Sequence, residues 1–154
     1  MEGRDEAMAA MRALLDTHRV IAEAMGQRLR AEVGLSLAQW EVLHRLDQAP
    51  GGRLRMVDIT RQLCVSKSGV TQLVDRLERA GLVAREFSPS DRRLTYAALT
   101  ERGSEVLRRA GPVWAPIVRR HFARHLSAED LCCLREALAK VVAGNADRLD
   151  AGPA

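Results

Sequence analysis

Between Ser66 and Thr100 the hydrophobic pattern changes period twice, and few folds accommodate both changes. Val70, Leu73, Val74 and Leu77 recur at three and four, the spacing of a helix that buries one stripe. "AGLV" at 80–83 stops that helix, with Gly81 at the C′ position. The chain then alternates: Val83, Arg85 and Phe87 against Ala84 and Glu86, later Leu94, Tyr96 and Ala98 against Thr95 and Ala97. Two alternating runs around the polar, proline-containing "SPSDRR" predict a β-hairpin. Thr100 caps a return to helix from about residue 101. Before this stretch lies a small helix near 57–63 (Val57, Ile59, Leu63), and only the corner "CVS" at 64–66 separates it from the helix that Ser66 caps. Two helices across so short a corner, followed at once by a hairpin, make a winged helix-turn-helix.

The flanks are helical. Met8, Met11, Leu14, Leu15, His18, Ile21, Met25 and Leu29 share one face of a first helix over about residues 5–31, closed by Gly34. Ser36 caps a second helix to about Asp47, carrying Trp40, Val42, Leu43 and Leu46, and "QAPGG" at 48–52 is a turn before a short "RLR". Beyond the hairpin, Pro112 and Pro116 predict a kink or break near Gly111. Ser127 with Asp130 reads as a capping box using Asp for the usual Glu. The last helix puts Leu131, Leu134, Leu138, Val141, Val142 and Leu149 on one stripe, and the tail "AGPA" should fray. The winged module at about 36–100 is complete without the flanks. The stripes at about 5–35 and 101–149 therefore have each other and a second copy to cover them. The expectation is one domain over 1–154, mainly α with a small β part (α+β), whose N- and C-terminal helices dimerise. A two-fold dimer presents two reading helices to a palindromic DNA site.

Composition agrees. Hydrophobic residues make up 47% and aromatics only 3%, so the core is built from Leu, Val, Ala and Met, which suits helix packing. No apolar run approaches the roughly 20 residues that span a bilayer. The acidic start "MEGRDEAMAA" has no apolar segment of a secretory signal, so the expected location is the cytoplasm. Cys64, Cys132 and Cys133 form no spacing ladder and read as reduced thiols, with no redox role assigned. The charge is localised: residues 53–93 hold nine basic and five acidic residues, while the chain has 24 and 20, so the rest is balanced and the whole excess of four lies here. Local positive charge on a neutral body is the footprint of a polyanion-binding face. No nucleophile–base pairing, phosphate-cradling glycine loop or cofactor motif stands out, so neither an enzyme nor a cofactor is expected. His121 and His125, at i and i+4, could hold a metal on one helix face, but no third ligand is evident and no metal site is assigned.

A reading helix turns its N-terminal end into the major groove, where short side chains let the backbone approach. Ser66, Ser68 and Gly69 meet that need, and Lys67 adds a mobile charge for phosphate or a guanine edge. Thr71 and Gln72 can reach base edges, Gln most readily adenine, with Arg76 farther along for backbone or guanine contacts. At the hairpin tip Arg92 suits a minor groove or phosphate, and Asp91 can brace Arg93, although the two arginines could exchange roles. A capped helix with a polar face would look similar if it stood alone; the adjoining wing is what favours DNA.

The run "DRRLTYAALTERG" at 91–103 resembles the wing signature of the MarR family of bacterial transcription regulators. "SKSGVTQLVDRLERAGLVAR" at 66–85 resembles that family's recognition helix running into its wing, and the helix order matches over about residues 8–149. The resemblance implies an obligate homodimer and repression by occupying a palindromic operator in double-stranded DNA. It also implies relief by a small-molecule effector, such as an aromatic acid or phenol, or by thiol oxidation. The family pocket lies between the dimer helices and the winged module, which makes His18, Trp40, His44 and Trp114 its candidate lining. Three departures stand out. Gln72 takes a position where many relatives carry Arg, Ser88 replaces the usual acidic residue before the wing proline, and the first helix lacks the cysteine of the peroxide-sensing branch. Two competing readings are a non-specific architectural DNA-binding protein and a winged-helix protein-interaction adaptor. The paired arginines and the local charge argue against the adaptor.

Overall fold

Side-chain caps set where the helices begin. Ser36 Oγ accepts the Gln39 N–H at 3.2 Å while Gln39 Oε1 accepts the Ser36 N–H at 2.9 Å, starting α2 (Leu37–Gln48). Ser66 Oγ accepts the Gly69 N–H at 3.2 Å and starts α4 (Lys67–Arg79). Thr100 Oγ1 accepts the Gly103 N–H at 3.0 Å to start α5 (Glu101–His121), and donates to the Gly81 carbonyl at 2.8 Å. Ser127 and Asp130 form the expected capping box of α6 (Ala128–Ala143). The Ser127 hydroxyl and backbone N–H hold the Asp130 carboxyl below the usual carboxylate range. In this computed structural model residues 2–63, 65–87 and 94–145 are described; Cys64, the hairpin tip 88–93 with Ser88, and the tail with Leu149 lie outside them.

The remaining elements are α1 (Glu2–Val33), β1 (Arg53–Arg55), α3 (Met56–Leu63), β2 (Val83–Phe87) and β3 (Thr95–Leu99). The winged helix-turn-helix is α3, α4 and an antiparallel sheet in the order β1-β3-β2. Its hairpin register pairs Val83 with Leu99, Arg85 with Ala97 and Phe87 with Thr95. The short "RLR" turns out to be a third strand, Arg55 pairing with Tyr96, because three residues carry no period of their own and gain structure only from β3. The stop of α4 matches its expected glycine. Gly81 sits at φ 70°, where Cβ-bearing residues are strained, and the Gly81 and Leu82 N–H groups bond to the Glu78 and Leu77 carbonyls at 2.8 and 2.9 Å.

Two cores result. Under the winged module Val42, Leu43, Leu46, Ile59, Val70, Val74, Leu77 and Ala97 are fully buried. A second cluster joins Met25 and Leu29 of α1 to Ala110, Val113 and Ile117 of α5. Trp40 and Val33 pack against both.

Of the kink or break expected near Gly111, the break does not occur. α5 runs from Glu101 to His121 through Pro112 and Pro116. Each proline removes one helix hydrogen bond, a cost of about 3 kcal/mol or more in an isolated helix. Both prolines lie on the exposed side, as does Arg108, so the carbonyls they leave free, those of Arg108 and Pro112, are on the watered face. On the opposite side Ala110, Val113 and Ile117 are buried against α1, and that burial holds the helix together.

α5 lies antiparallel to α1. Arg109 Nη2 reaches the Glu32 carbonyl at 3.4 Å, and Val113 and Ile117 pack with Leu29 and Met25. Because α5 ends at His121, the first part of α1 projects beyond it. Every residue from Gly3 to Val20 is exposed, roughly 27 Å of helix. Met8, Met11, Leu14 and Leu15 on that projection are 51%, 52%, 40% and 60% exposed, and no residue of α6 is buried.

Candidate nucleic-acid interface

α4 is fastened by Val70, Val74 and Leu77, all fully buried, with Leu73 half-buried beside them. Lys67, Ser68, Thr71, Gln72, Arg76 and Arg79 are left exposed on the other side. Gln72 and Arg76 make no side-chain hydrogen bond or ion pair among the described residues. Thr71 donates its hydroxyl proton to the Lys67 carbonyl at 2.9 Å, which leaves the oxygen's lone pairs available as acceptors. The structure supplies an internal reason for two of the small residues at this end. Ser66 is the N-cap, its Oγ also 3.2 Å from Ser68 Oγ. A Cβ on Gly69 would stand 2.6 Å from Val65 Cγ1 and 3.2 Å from Ser66 Oγ, so the corner itself demands glycine. The closeness of a groove wall is not needed to explain either; Ser68 is free of that constraint.

Asp91, Arg92 and Arg93 lie outside the described residues; β2 and β3 lead to that segment through Phe87 and Leu94. At the base of the wing a cleft of about 650 Å³ opens between α3, α4 and the strands, with Arg55, Lys67 and Arg85 among its walls. Asp58 binds Arg55 with both oxygens, at 2.6 and 3.0 Å, which raises the guanidinium's pKa through the hydrogen bonds first and their charge second.

The sequence pattern does not single out Arg85. Its guanidinium bridges Asp75 at 2.5 Å and Glu78 at 2.9 Å, tying the wing to α4. A signal exists in two acids three residues apart within an otherwise basic stretch, but nothing local names their partner.

Of the candidate effector residues, the structure brings three together. Trp40 stacks on His44 with ring centroids 4.7 Å apart and meets Trp114 at 4.2 Å. Trp114 Nε1 is buried without a hydrogen-bond partner among the described residues. A groove of about 480 Å³ runs beside Trp40 and His44, with Arg45 and Gln62 in its walls. His18 does not join them: it is exposed on the projecting part of α1. His121 ends α5 whereas His125 lies in a separate turn (Ala123–His125), so the pair does not share one helix face. No group of three metal-binding side chains occurs among the described residues, and Cys132 and Cys133 are exposed on α6. No helix among the described residues is long and apolar enough to cross a membrane.

Known proteins share this architecture. Residues 33–94 match the sequence model of the MarR family. AbsC, a MarR family transcriptional regulator from Streptomyces coelicolor, is 36% identical with a TM-score of 0.80, over 91% of this chain and 94% of that one. Sco3205, a MarR family transcriptional regulator from the same organism solved in complex with DNA, is 30% identical with a TM-score of 0.81, over 91% and 88%. An HTH-type transcriptional repressor of Mycobacterium tuberculosis, Rv2887, is 35% identical over 107 residues, covering 65% of this chain and 76% of the relative. Against three other curated relatives the chain spans about half their length, 47–49%.

Proposed function

This chain belongs to the MarR family of DNA-binding transcription regulators, and from that premise we propose that it is a repressor binding a palindromic operator as a homodimer in the cytoplasm. The observation that carries the DNA-reading part is the exposed polar face of α4 beside the wing, in the stretch that holds the chain's whole charge excess. In this reading Ser68, Thr71 and Gln72 meet base edges, Lys67 and Arg76 take phosphate or guanine, and the Ser66–Gly69 end brings the backbone close. Arg92 serves as the wing contact, with Asp91 bracing Arg93. Dimerisation is supported by the exposed apolar residues on the projecting part of α1 and by α6, where Leu131, Leu134 and Leu138 are only half-buried and Val141 and Val142 are exposed. The repressor name of the mycobacterial relative supports the direction of control. Nothing in the reading involves a catalytic step.

For an effector, the Trp40–His44–Trp114 cluster supports an aromatic acid or phenol. Its rings offer stacking, and the unpaired Trp114 N–H offers a donor to an acceptor oxygen. His18 would belong to such a pocket only as a contribution across the dimer.

Selection of duplexes from a random library tests the central claim. The selected sequence should be bound about 10³-fold or more tightly than random DNA. A flat preference would leave an architectural DNA binder, and no binding at low salt would leave an adaptor. Arg92→Ala should weaken binding and reduce the salt slope by about one counterion; an unchanged affinity and slope would remove Arg92 from the interface. Gln72→Ala should cost about 1–3 kcal/mol at one base pair of each half-site and abolish the preference there. Retention of every base preference would show that Gln72 does not read DNA.

A further inference from the structure

Asp75 and Glu78 place two carboxylates on α4 within the basic stretch, where alone they would repel a polyanion. Arg85 of β2 meets both, with Nη2 at 2.5 Å from Asp75 Oδ1 and Nη1 at 2.9 Å from Glu78 Oε2. The other Glu78 oxygen accepts the backbone N–H of Arg85 at 3.3 Å. That N–H faces away from the sheet. The Thr100 N–H bonds to the Leu82 carbonyl at 3.2 Å, so in this register the even-numbered residues of β2 pair inward and the odd-numbered ones point out. β2 is an outer strand, so Glu78 closes an edge donor that no neighbouring strand takes.

Position along the strand gives the contact its weight. Val83, Arg85 and Phe87 share one face of β2. Val83 is buried at 2% exposure and Phe87 is 66% exposed, so among the described residues the apolar burial on this face of β2 lies at Val83. Arg85, with its side chain 25% exposed, holds the strand to the helix by charge beyond Val83 among the described residues. We propose that Arg85 is a positioning residue: through Asp75 and Glu78 it fixes the angle between recognition helix and wing, so that both engage one half-site together, without itself touching DNA. The inference rests on the DNA-reading function proposed above.

The double substitution Asp75→Asn, Glu78→Gln separates this role from a purely electrostatic one, because it removes two negative charges and no cation. If only charge mattered, or if Arg85 bound phosphate, the variant would bind DNA more tightly with a steeper salt slope. Positioning predicts the opposite sign on the duplex selected by the wild-type protein: binding weaker by about tenfold or more, with a slope no steeper. On a random duplex of equal length the variant should bind at least as well as wild type. In the free protein, amide hydrogen exchange should quicken in β2 and β3 while α4 stays protected. Equal or tighter binding to the selected duplex, or unchanged exchange in the strands, would overturn the proposal. A wild-type protein that selects no sequence would count against the regulator reading alone, and the exchange experiment would still decide the role of Arg85.

Discussion

Met11→Glu combined with Leu15→Glu is expected to yield a monomer in sedimentation equilibrium and to weaken binding to the selected palindrome by about 10²–10⁴-fold. Both residues lie on the part of α1 that projects past α5, where among the described residues they stay 52% and 60% exposed. Burying such a side chain in a partner contributes about 1.5–3 kcal/mol. A glutamate forfeits that and adds the cost of desolvating a charge. The second core is untouched, because Met25 and Leu29 lie farther along the helix. Loss of DNA binding would thus follow from losing the second reading helix rather than from damage to the first. Far-UV circular dichroism should show a partial loss of helix, since a projecting segment without a partner is marginal by itself. A variant that stayed dimeric and bound the palindrome as before would place the interface elsewhere.

Gly103→Ala is expected to destabilise the fold by about 2–3 kcal/mol, lowering the unfolding midpoint by about 5–10 °C. A Cβ there would collide with the backbone carbonyl of Leu82 and stand 2.7 Å from Leu99 Cδ1. The carbonyl cannot simply retreat, because it accepts the Thr100 N–H at 3.2 Å. Thr100 in turn caps Gly103 and bonds to the Gly81 carbonyl, so the end of α4, the foot of the wing and the start of α5 meet at this glycine. Gly111, on the same helix, has nothing within 4 Å of a built Cβ apart from its chain neighbours and its own helix backbone. Gly111→Ala should therefore cost far less than Gly103→Ala, since a helix-propensity gain of up to about 1 kcal/mol offsets the crowding of the new Cβ against the ring of Pro112. Thermal unfolding of the two variants at equal protein concentration makes the comparison, and equal midpoints would show that the close packing at Gly103 relaxes without cost.

Much of the wing and its reading helix is legible in the residue pattern. Ser36, Ser66, Thr100 and Ser127 cap their helices as their positions imply, Gly81 stops α4, and the alternation from Val83 and from Leu94 becomes β2 and β3. The candidate site is legible in part. The exposed face of α4 carries Lys67, Thr71, Gln72 and Arg76 as the spacing requires, whereas Ser66 and Gly69 owe their small size to the corner they form. Of the kink or break expected at Pro112 the break is absent, because a proline's local cost takes no account of the burial on the far side of α5.

Local closure and periodicity are thus decided by the sequence alone, because a cap, a helix stop or an amphipathic stripe is satisfied within a few residues of itself. The strand Arg53–Arg55, the clamp of Arg85 on Asp75 and Glu78, the meeting of Trp40 with Trp114 and the contact of Gly103 with Leu82 are decided only by the tertiary structure. Each joins groups that no shared period connects. Their partners become neighbours only when burial of the two cores has brought distant or differently shaped segments together.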